Sequence, residues 1–382
     1  MDIKQTDKQY IANTYNRADL VVDHAQGSLL YDTSGREYID LCGGIAVNIF
    51  GYNDLKWKEA VIAQLDKVQH TSNLYYTQPQ AELAELLCER TGFKKVFFSN
   101  SGAEANECAI KCARKYSHDK YGDGRDVIIT LQNSFHGRTI TTLSATGQEA
   151  FHQHFAPFTP GFSHVSASDI TQLENTIKNQ DNICAIMVEL IQGEGGLNVL
   201  EKEYVKSLYN LCHKNDILLI VDEVQSGNGR TGKLYCYEHF GIIPDIITTA
   251  KGLGGGLPIG ATLFGKKVEN VLTVGTHGST FGGNPVAAAG ALSIIKRIDD
   301  KLLATVEQKG EYIKSTLKNV TGLGLMLGVK TNKPVAQVIA ECREKGVIVL
   351  SAKEKVRLLP PLNIPMPLLD KAIAILKGVV EG

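Results

Sequence analysis

Residues 216–251 have the sequence DILLIVDEVQSGNGRTGKLYCYEHFGIIPDIITTAK, and this stretch decides the fold class. It contains two short apolar runs, the first ending at Asp222 and the second at Lys251. Continuous apolar runs of this length are typical of strands buried on both faces, as in a parallel sheet covered by helices. The stretch therefore predicts two strands whose carboxyl ends place Asp222 and Lys251 in the crevice where α/β sheets bind ligands.

The same pattern occurs three more times earlier in the chain, in KVFFSN (95–100), DVIITL (126–131) and NICAIMVEL (182–190). Helical patterns separate these runs, and strands that alternate with helices are typical of an α/β fold with a mostly parallel sheet. Residues 28–41 (SLLYDTSGREYIDL) alternate apolar and polar positions around a Thr-Ser-Gly turn. This alternation predicts a hairpin before the sheet begins.

The C-terminal part of the chain has a different pattern, with long amphipathic helices, glycine turns and a closing helix, and predicts a smaller α+β domain. A chain of 382 residues also exceeds the roughly 250–300 residues at which single cores stop growing. We expect an N-terminal segment (1–45) that packs with the small domain, a large ligand-binding domain (46–285) and a small C-terminal domain (286–382).

Composition excludes several classes of protein. With 40 Lys+Arg against 41 Asp+Glu the net charge is −1, so the chain lacks the basic excess of a nucleic-acid-binding protein. No apolar run approaches the roughly 18 residues of a membrane span, and the N-terminus resembles no targeting signal. We expect a cytoplasmic protein with no nucleic-acid or membrane partner. Its eight scattered cysteines should be reduced, with Cys108 and Cys112 as core residues and no metal site.

The sequence SNSGAEANE (99–107) predicts a strand that runs directly into a helix. Ser101 and Glu104 have the spacing of a capping box, which marks the N-terminus of that helix. Free N–H groups at such a terminus, here around Ser101, Gly102 and Ala103, can bind a phosphate. An ordinary capped helix has the same pattern, so this motif alone leaves both interpretations open.

The loop after Asp222 suggests an alternative. Gly227, Gly229 and Gly232 match the G-x-G-x-x-G fingerprint of an NAD-dependent oxidoreductase. In that fold the fingerprint lies directly between the first strand and its helix, whereas here other polar residues intervene and no long apolar helix follows. The oxidoreductase therefore stays the alternative and not the main interpretation.

Asp222 and Lys251 together indicate a different cofactor, pyridoxal 5'-phosphate (PLP). A desolvated lysine has a lowered pKa and is nucleophilic, so Lys251 could form a Schiff base. Asp222 could hold the pyridine nitrogen protonated, and the helix terminus could bind the phosphate. Phe135 could stack on the ring and Arg138 could bind a carboxylate at two points, whereas His136 should be a packed side chain without a role in proton transfer.

Six motifs in fixed order then resemble one family, the class III PLP-dependent aminotransferases. They are SNSGAEANE, SFHGRT, VELIQGEGG, DEVQSGNGRTG, TTAKGLGGGLPIGA and GTHGSTFGGNP. The resemblance implies the type I fold of PLP-dependent transferases: a large domain with a seven-stranded, mostly parallel sheet and a smaller α+β domain. It also implies a homodimer with shared active sites.

The resemblance further assigns the cofactor contacts. Lys251 would be the catalytic residue, forming the Schiff base and then carrying the proton. Asp222 would pair with the pyridine nitrogen and Gln225 would reach the phenolic oxygen, while Thr280 would come to the phosphate from the other subunit. The remaining contacts implied are Ser101, Gly102 and Ala103 at the phosphate, Phe135 on the ring and Glu189 in the pocket wall.

Four residues are implied as substrate contacts: Arg138, Glu194, Ser279 and Arg357. Arg138 would bind the carboxylate distal to the reacting amine. Arg357 would bind the carboxylate that glutamate presents beside its reacting nitrogen, and Glu194 would neutralise Arg357 when the other amino donor is bound. Ser279, like Thr280, has a hydroxyl that could donate to a phosphate or cap a turn.

Within the class, the chain is most similar to enzymes that act on N-acetyl-ornithine. This implies transfer of the terminal amino group to 2-oxoglutarate, a step of arginine biosynthesis. Gly44 agrees with such a substrate, because ornithine aminotransferases carry a tyrosine here that meets the free α-amino group, whereas glycine leaves room for an acyl group. Succinyl-diaminopimelate, free ornithine and 4-aminobutyrate are the alternative substrates.

Overall fold

The computed structural model describes residues 2–382 and confirms the predicted α/β fold with its seven-stranded sheet. In chain order its strands are β4 (Lys95–Ser99), β5 (Val127–Leu131), β6 (Phe162–Val165), β7 (Ile183–Val188), β10 (Leu218–Asp222), β11 (Ile246–Thr249) and β12 (Gly260–Phe264). Across the sheet the order of strands is β4-β12-β11-β10-β7-β5-β6. β12 pairs antiparallel with both of its neighbours, and the other pairings are parallel.

Two four-stranded sheets lie towards the ends of the chain, and a two-stranded sheet lies between them in the sequence. β1 (Val22–Gln26), β2 (Leu29–Asp32) and β3 (Glu37–Asp40) form an antiparallel sheet, and β15 (Val347–Ile348) adds to β3 in parallel. The predicted hairpin is therefore confirmed as β2 and β3. A second sheet contains β13 (Val320–Leu323), β14 (Met326–Lys330), β16 (Leu350–Ala352) and β17 (Lys355–Leu358), and β8 (Ile191–Gln192) pairs with β9 (Asn198–Val199).

Most helices cover the large sheet and the C-terminal strands, whereas the first helix has no buried residue. Their bounds are Ile3–Tyr10, Leu55–Leu65, Gln78–Thr91, Gly102–Tyr121, Ile140–Ala145, Ile170–Asn179, Lys202–Lys214, Pro285–Ile295, Asp300–Thr316, Val335–Glu344 and Met366–Glu381. Within residues 2–382, no helix combines the length and the apolar character that crossing a membrane requires.

The core of the large sheet shows why the apolar runs become strands. Every residue of β7 is buried, as is every residue of β10, because helices cover both faces. The helix Gly102–Tyr121 packs on the sheet through a face of small residues that includes Cys108 and Cys112, both fully buried. These two cysteines therefore serve as small core residues, and all eight cysteines of the chain are free thiols.

The glycine-rich loop after β10 packs against the C-terminal part of the chain. A Cβ atom at Gly229 would lie 3.1 Å from the side chains of Ile298 and Leu362. The next helical element is a single 3₁₀ segment, Cys236–Phe240. Because a dinucleotide fingerprint requires a long helix directly after its glycines, this geometry disfavours the oxidoreductase interpretation.

Candidate active site

A cavity of about 440 Å³ lies at the carboxyl ends of the parallel strands. Asp222 is the last residue of β10, and Lys251 follows two residues after β11. Predicted residues that line the cavity are Ser101, Gly102, Ala103, Phe135, Arg138, Glu189, Asp222, Gln225 and Lys251. The structure thus brings together residues that are far apart in the sequence, at the edge where α/β sheets bind their ligands.

The anion-binding end of the cavity is the N-terminus of the helix Gly102–Tyr121. Ser101 is the N-cap, and its Oγ accepts a hydrogen bond from the N–H of Glu104 at 3.2 Å. The first N–H groups of a helix have no partner within the helix, so those of Gly102 and Ala103 are available at the cavity wall. The helix dipole adds a partial positive charge there, which suits a phosphate.

Asp222 is held in one orientation by three donors. Its Oδ2 accepts from Asn106 Nδ2 and from His136 Nδ1, both at 2.8 Å, and its Oδ1 accepts from the N–H of Val224 at 3.0 Å. The side chain is buried, and a buried carboxylate requires such partners. The arrangement presents a fixed negative charge to the cavity, as a protonated ring nitrogen requires.

Lys251 has an unusual backbone conformation and a perturbed amine. Its φ is +44°, which lies in the left-handed region that residues other than glycine rarely adopt. Strain of this kind is concentrated at functional sites. Burial lowers the pKa of Lys251 below its usual value, although the carboxylates of Glu194 and Asp222 oppose the shift. A larger fraction of the amine is therefore uncharged and nucleophilic than in an exposed lysine.

Phe135 and Glu189 form another wall of the cavity. Glu189 Oε2 accepts from the N–H of Phe135 at 2.8 Å, and Glu189 Oε1 accepts from the N–H of Gly193 at 3.2 Å. Burial raises the pKa of Glu189 to about 7, with the neighbouring His136 opposing the shift.

The guanidinium of Arg138 lies over Phe151, 4.4 Å from the ring centroid, and remains exposed at the open side of the cavity. Arg138 is therefore placed to receive an anion entering from solvent.

Glu194 and Arg357 meet although 163 positions separate them in the chain. Arg357 Nη1 donates to Glu194 Oε1 at 2.5 Å and to Gln225 Oε1 at 3.3 Å. The Arg357 side chain is 5% exposed and that of Glu194 is 29% exposed. Gln225 lines the cavity, so the ion pair adjoins it through Gln225.

Ser279 and Thr280 lie apart from this cavity. Ser279 Oγ accepts from Asn100 Nδ2 at 3.3 Å and from the N–H of Gly282 at 3.0 Å, which is the turn-capping arrangement. Ser279 also lines a second cavity, of about 410 Å³. Thr280 is exposed, so within one chain its hydroxyl faces solvent.

Asn106 lines the cavity and lies within the motif SNSGAEANE, but neither the motif nor the resemblance assigns it a role. Its Nδ2 also donates to the carbonyl oxygen of His136 at 2.7 Å, and its Oδ1 accepts from Thr248 Oγ1 at 2.7 Å. Asn106 therefore fixes both Asp222 and the segment that contains His136. The sequence contains one signal for this residue, a polar side chain on the buried face of a helix. His136 is buried and hydrogen-bonded, as predicted.

Comparison with known proteins identifies the family. The family model for class-III aminotransferases matches residues 10–380. The acetylornithine aminotransferase of Haemophilus ducreyi is 51% identical over 99% of this chain and 98% of its own length, and that of Aquifex aeolicus is 43% identical over 97% and 100%.

Solved structures agree with this similarity. The ornithine aminotransferase of Toxoplasma gondii superposes with a TM-score of 0.94 at 31% identity, covering 99% of this chain and 94% of its own. The N-acetylornithine aminotransferase of Stenotrophomonas maltophilia superposes with a TM-score of 0.85 at 33% identity, covering 99% and 98%. Family model, sequence relatives and fold all agree with the predicted resemblance, and the chain belongs to the class-III aminotransferases.

Proposed function

We propose that this aminotransferase moves the terminal amino group of N2-acetyl-L-ornithine to 2-oxoglutarate, giving N-acetylglutamate semialdehyde and glutamate. The observation that carries the proposal is the ion pair of Glu194 and Arg357 beside Gln225. The names of the sequence relatives, acetylornithine aminotransferases at 40–51% identity, support the same substrate.

The ion pair matters because one site must accept two different groups. Glutamate presents a carboxylate beside its reacting nitrogen, whereas acetylornithine presents an uncharged methylene. Arg357 suits the first substrate, and an unpaired, buried guanidinium would be costly with the second. Glu194 is partly exposed, so it has the freedom to move away when glutamate binds and to return when acetylornithine binds.

The cofactor of the reaction is PLP, and the residues of the cavity fit it. Lys251 would hold its aldehyde carbon, Asp222 its ring nitrogen, and Ser101, Gly102 and Ala103 its phosphate. When bound, PLP supplies a protonated ring that accepts the electron pair of a substrate carbon. Lys251 Nζ would take the proton from that carbon and deliver it to the aldehyde carbon of the cofactor, while Phe135 would cover one face of the ring. Arg138 would hold the carboxylate at the far end of either substrate.

Free ornithine is the second candidate substrate, because ornithine aminotransferases are among the similar structures. Gly44 favours the acylated substrate, since the tyrosine expected in an ornithine enzyme is absent. The experiment is a comparison of kcat/KM for acetylornithine, ornithine, succinyl-diaminopimelate and 4-aminobutyrate, each with 2-oxoglutarate. We expect acetylornithine to have the highest value. A higher value for any other donor would assign the enzyme to that donor.

The contacts of Asn106 lead to a prediction about cofactor binding. Asn106→Leu removes a donor from buried Asp222 and leaves the hydroxyl of Thr248 without its acceptor. We expect the free energy of unfolding to fall by about 2 kcal/mol and the affinity for PLP to fall about tenfold. Equilibrium dialysis with absorbance detection measures the affinity. Thr248→Val is the matched control, because it loosens Asn106 without removing it, and its effect should be smaller.

We further infer a homodimer in which Thr280 of the partner subunit completes the phosphate site. Exposed apolar side chains surround this segment and support an interface: Leu74, Tyr75, Tyr76, Val274 and Phe281. Activity should therefore require the dimer, and Thr280→Val should weaken PLP binding about tenfold with the dimer intact. Sedimentation at assay concentration measures the assembly. A fully active monomer would contradict the inference.

Three broader proposals accompany the activity. The enzyme would act in the cytoplasm, in arginine biosynthesis. The chain would divide into an N-terminal segment (1–45), a PLP-binding domain (46–285) and a small domain (286–382). The pairing of β3 with β15 supports this division, because it joins the N-terminal segment to the C-terminal part of the chain.

A further inference from the structure

Residues 43–46 form a turn with a left-handed backbone, at the edge of the active site. The φ angles of Gly43, Gly44, Ile45 and Ala46 are +55°, +64°, +65° and +63°. Glycine adopts such angles at no cost, but for a β-branched residue such as Ile45 a positive φ is a genuine outlier. Ile45 is 42% exposed, so only part of it packs against neighbours that could offset this strain. The turn must be stabilised by groups around it.

Asp40 is the group that caps this turn. Its carboxylate is fully buried, and it accepts hydrogen bonds from the N–H of Cys42 at 2.7 Å and of Gly43 at 3.0 Å. The third donor is the hydroxyl of Tyr52, at 2.8 Å from Asp40 Oδ2. Burial raises the pKa of Asp40, and the three donors oppose that shift. Among residues 2–382, Tyr52 is the only one whose side-chain hydroxyl donates a hydrogen bond to Asp40.

Both members of this pair have fixed backbones. The N–H and carbonyl groups of Tyr52 pair with those of Gly27, at 2.7 and 2.9 Å, and the N–H of Asp40 donates to the carbonyl of Ser28 at 2.8 Å. These backbone hydrogen bonds therefore fix the position from which the Tyr52 hydroxyl donates to Asp40. Such preorganisation makes the hydrogen bond effective in holding a strained neighbour.

The turn contacts the active site on two sides. A Cβ atom at Gly252, the neighbour of Lys251, would lie 3.4 Å from the carbonyl oxygen of Ala46. A Cβ atom at Gly43 would lie 2.9 Å from the carbonyl oxygen of Leu359, just beyond the strand that carries Arg357. Val47, the next residue after the turn, lines the cavity itself. A displaced turn would therefore change the shape of the cavity wall.

We propose that the hydrogen bond from Tyr52 to Asp40 is a latch that holds the left-handed turn in place, and that Tyr52 is thereby a positioning residue for the acylated amino donor. The inference rests on the proposed substrate, since the acyl group is the part that requires the room left by Gly44. Glutamate depends less on the turn, because its two carboxylates are assigned to Arg138 and Arg357.

The test is Tyr52→Phe, which removes only the hydroxyl. We expect the KM for acetylornithine to rise about tenfold while kcat and the KM for glutamate change less than about twofold. Amide hydrogen exchange in a peptide covering residues 41–49 should become at least about tenfold faster. Tyr38→Phe is the matched control, because Tyr38 is a buried tyrosine of β3, the strand that carries Asp40, and its hydroxyl donates to Asp32 at 2.9 Å. It should leave both measurements unchanged.

A second variant separates a latch from a general loss of stability. Ile45→Gly relieves the strain at the turn. In the double variant Tyr52→Phe/Ile45→Gly, the KM for acetylornithine should therefore return most of the way to the wild-type value. Equal losses with both substrates, or no recovery in the double variant, would mean that Tyr52 is merely structural and would overturn the proposal. Unchanged hydrogen exchange in Tyr52→Phe would overturn it as well. If the wild type does not use acetylornithine, the proposed function fails, and the exchange experiment still decides about the latch.

Discussion

Lys251→Ala should reduce kcat by roughly 10³-fold or more, because among residues 2–382 no other side chain on the cavity wall offers an amine to hold PLP and carry the proton. The variant should still bind PLP, since the helix terminus at Gly102 and the carboxylate of Asp222 do not depend on the lysine. After borohydride treatment, the intact mass of the wild type should include one cofactor. That of Lys251→Ala should not.

The chain offers a matched control for this experiment. Lys309 is also a buried lysine, and burial lowers its pKa to about 8, but its Nζ donates to the carbonyl oxygen of Leu362 at 2.9 Å, away from the cavity. Lys309→Met should lower stability and leave kcat and the borohydride product unchanged. Near-normal turnover in Lys251→Ala, or a cofactor fixed by borohydride in that variant, would remove Lys251 from the proposed reaction.

The positions of Asp222 and Lys251 could be predicted because they depend on local pattern and on one general rule. Each follows a continuous apolar run, and parallel strands bring their carboxyl ends to a common edge. The same reasoning did not predict β12. Its sequence, GATLF, follows a glycine-rich segment and resembles the end of a loop, and its place as an antiparallel strand depends on pairing with β4 and β11.

Other parts of the site depend on long-range contacts that no local pattern contains. Glu194 and Arg357 have no spacing that would indicate a pair, and only resemblance to the family suggested them. The left-handed turn is even harder to predict from the sequence, because a β-branched residue such as Ile45 disfavours that conformation. The hydrogen bonds from the backbone to Asp40 that stabilise the turn form only in the folded chain. Asn106 occupies a helix in which every charged residue is at least partly exposed, so its buried role becomes visible only once the helix lies on the sheet.

The ion pair of Glu194 and Arg357 leads to the prediction that most clearly distinguishes this enzyme from a generic aminotransferase. Glu194→Gln leaves the charge of Arg357 uncompensated beside the methylenes of acetylornithine, because Gln225, its other hydrogen-bond partner among residues 2–382, is neutral. Removing one partner of a buried pair costs about 3–5 kcal/mol, and the partial exposure of Glu194 reduces this figure. Even a third of it changes a rate constant about tenfold. The half-reaction with acetylornithine should therefore slow about tenfold.

The half-reaction with glutamate should respond in the opposite way. Arg357 no longer has to leave Glu194 before it binds the substrate carboxylate, so the rate should be unchanged or higher. Arg357→Ala should reverse the pattern and impair glutamate more than acetylornithine. Stopped-flow measurement of each half-reaction separates the two effects, and equal slowing of both by Glu194→Gln would show that the residue is only structural. Glu341→Gln is the matched control, because Glu341 is 30% exposed and pairs with Lys333 at 3.4 Å in the C-terminal part of the chain.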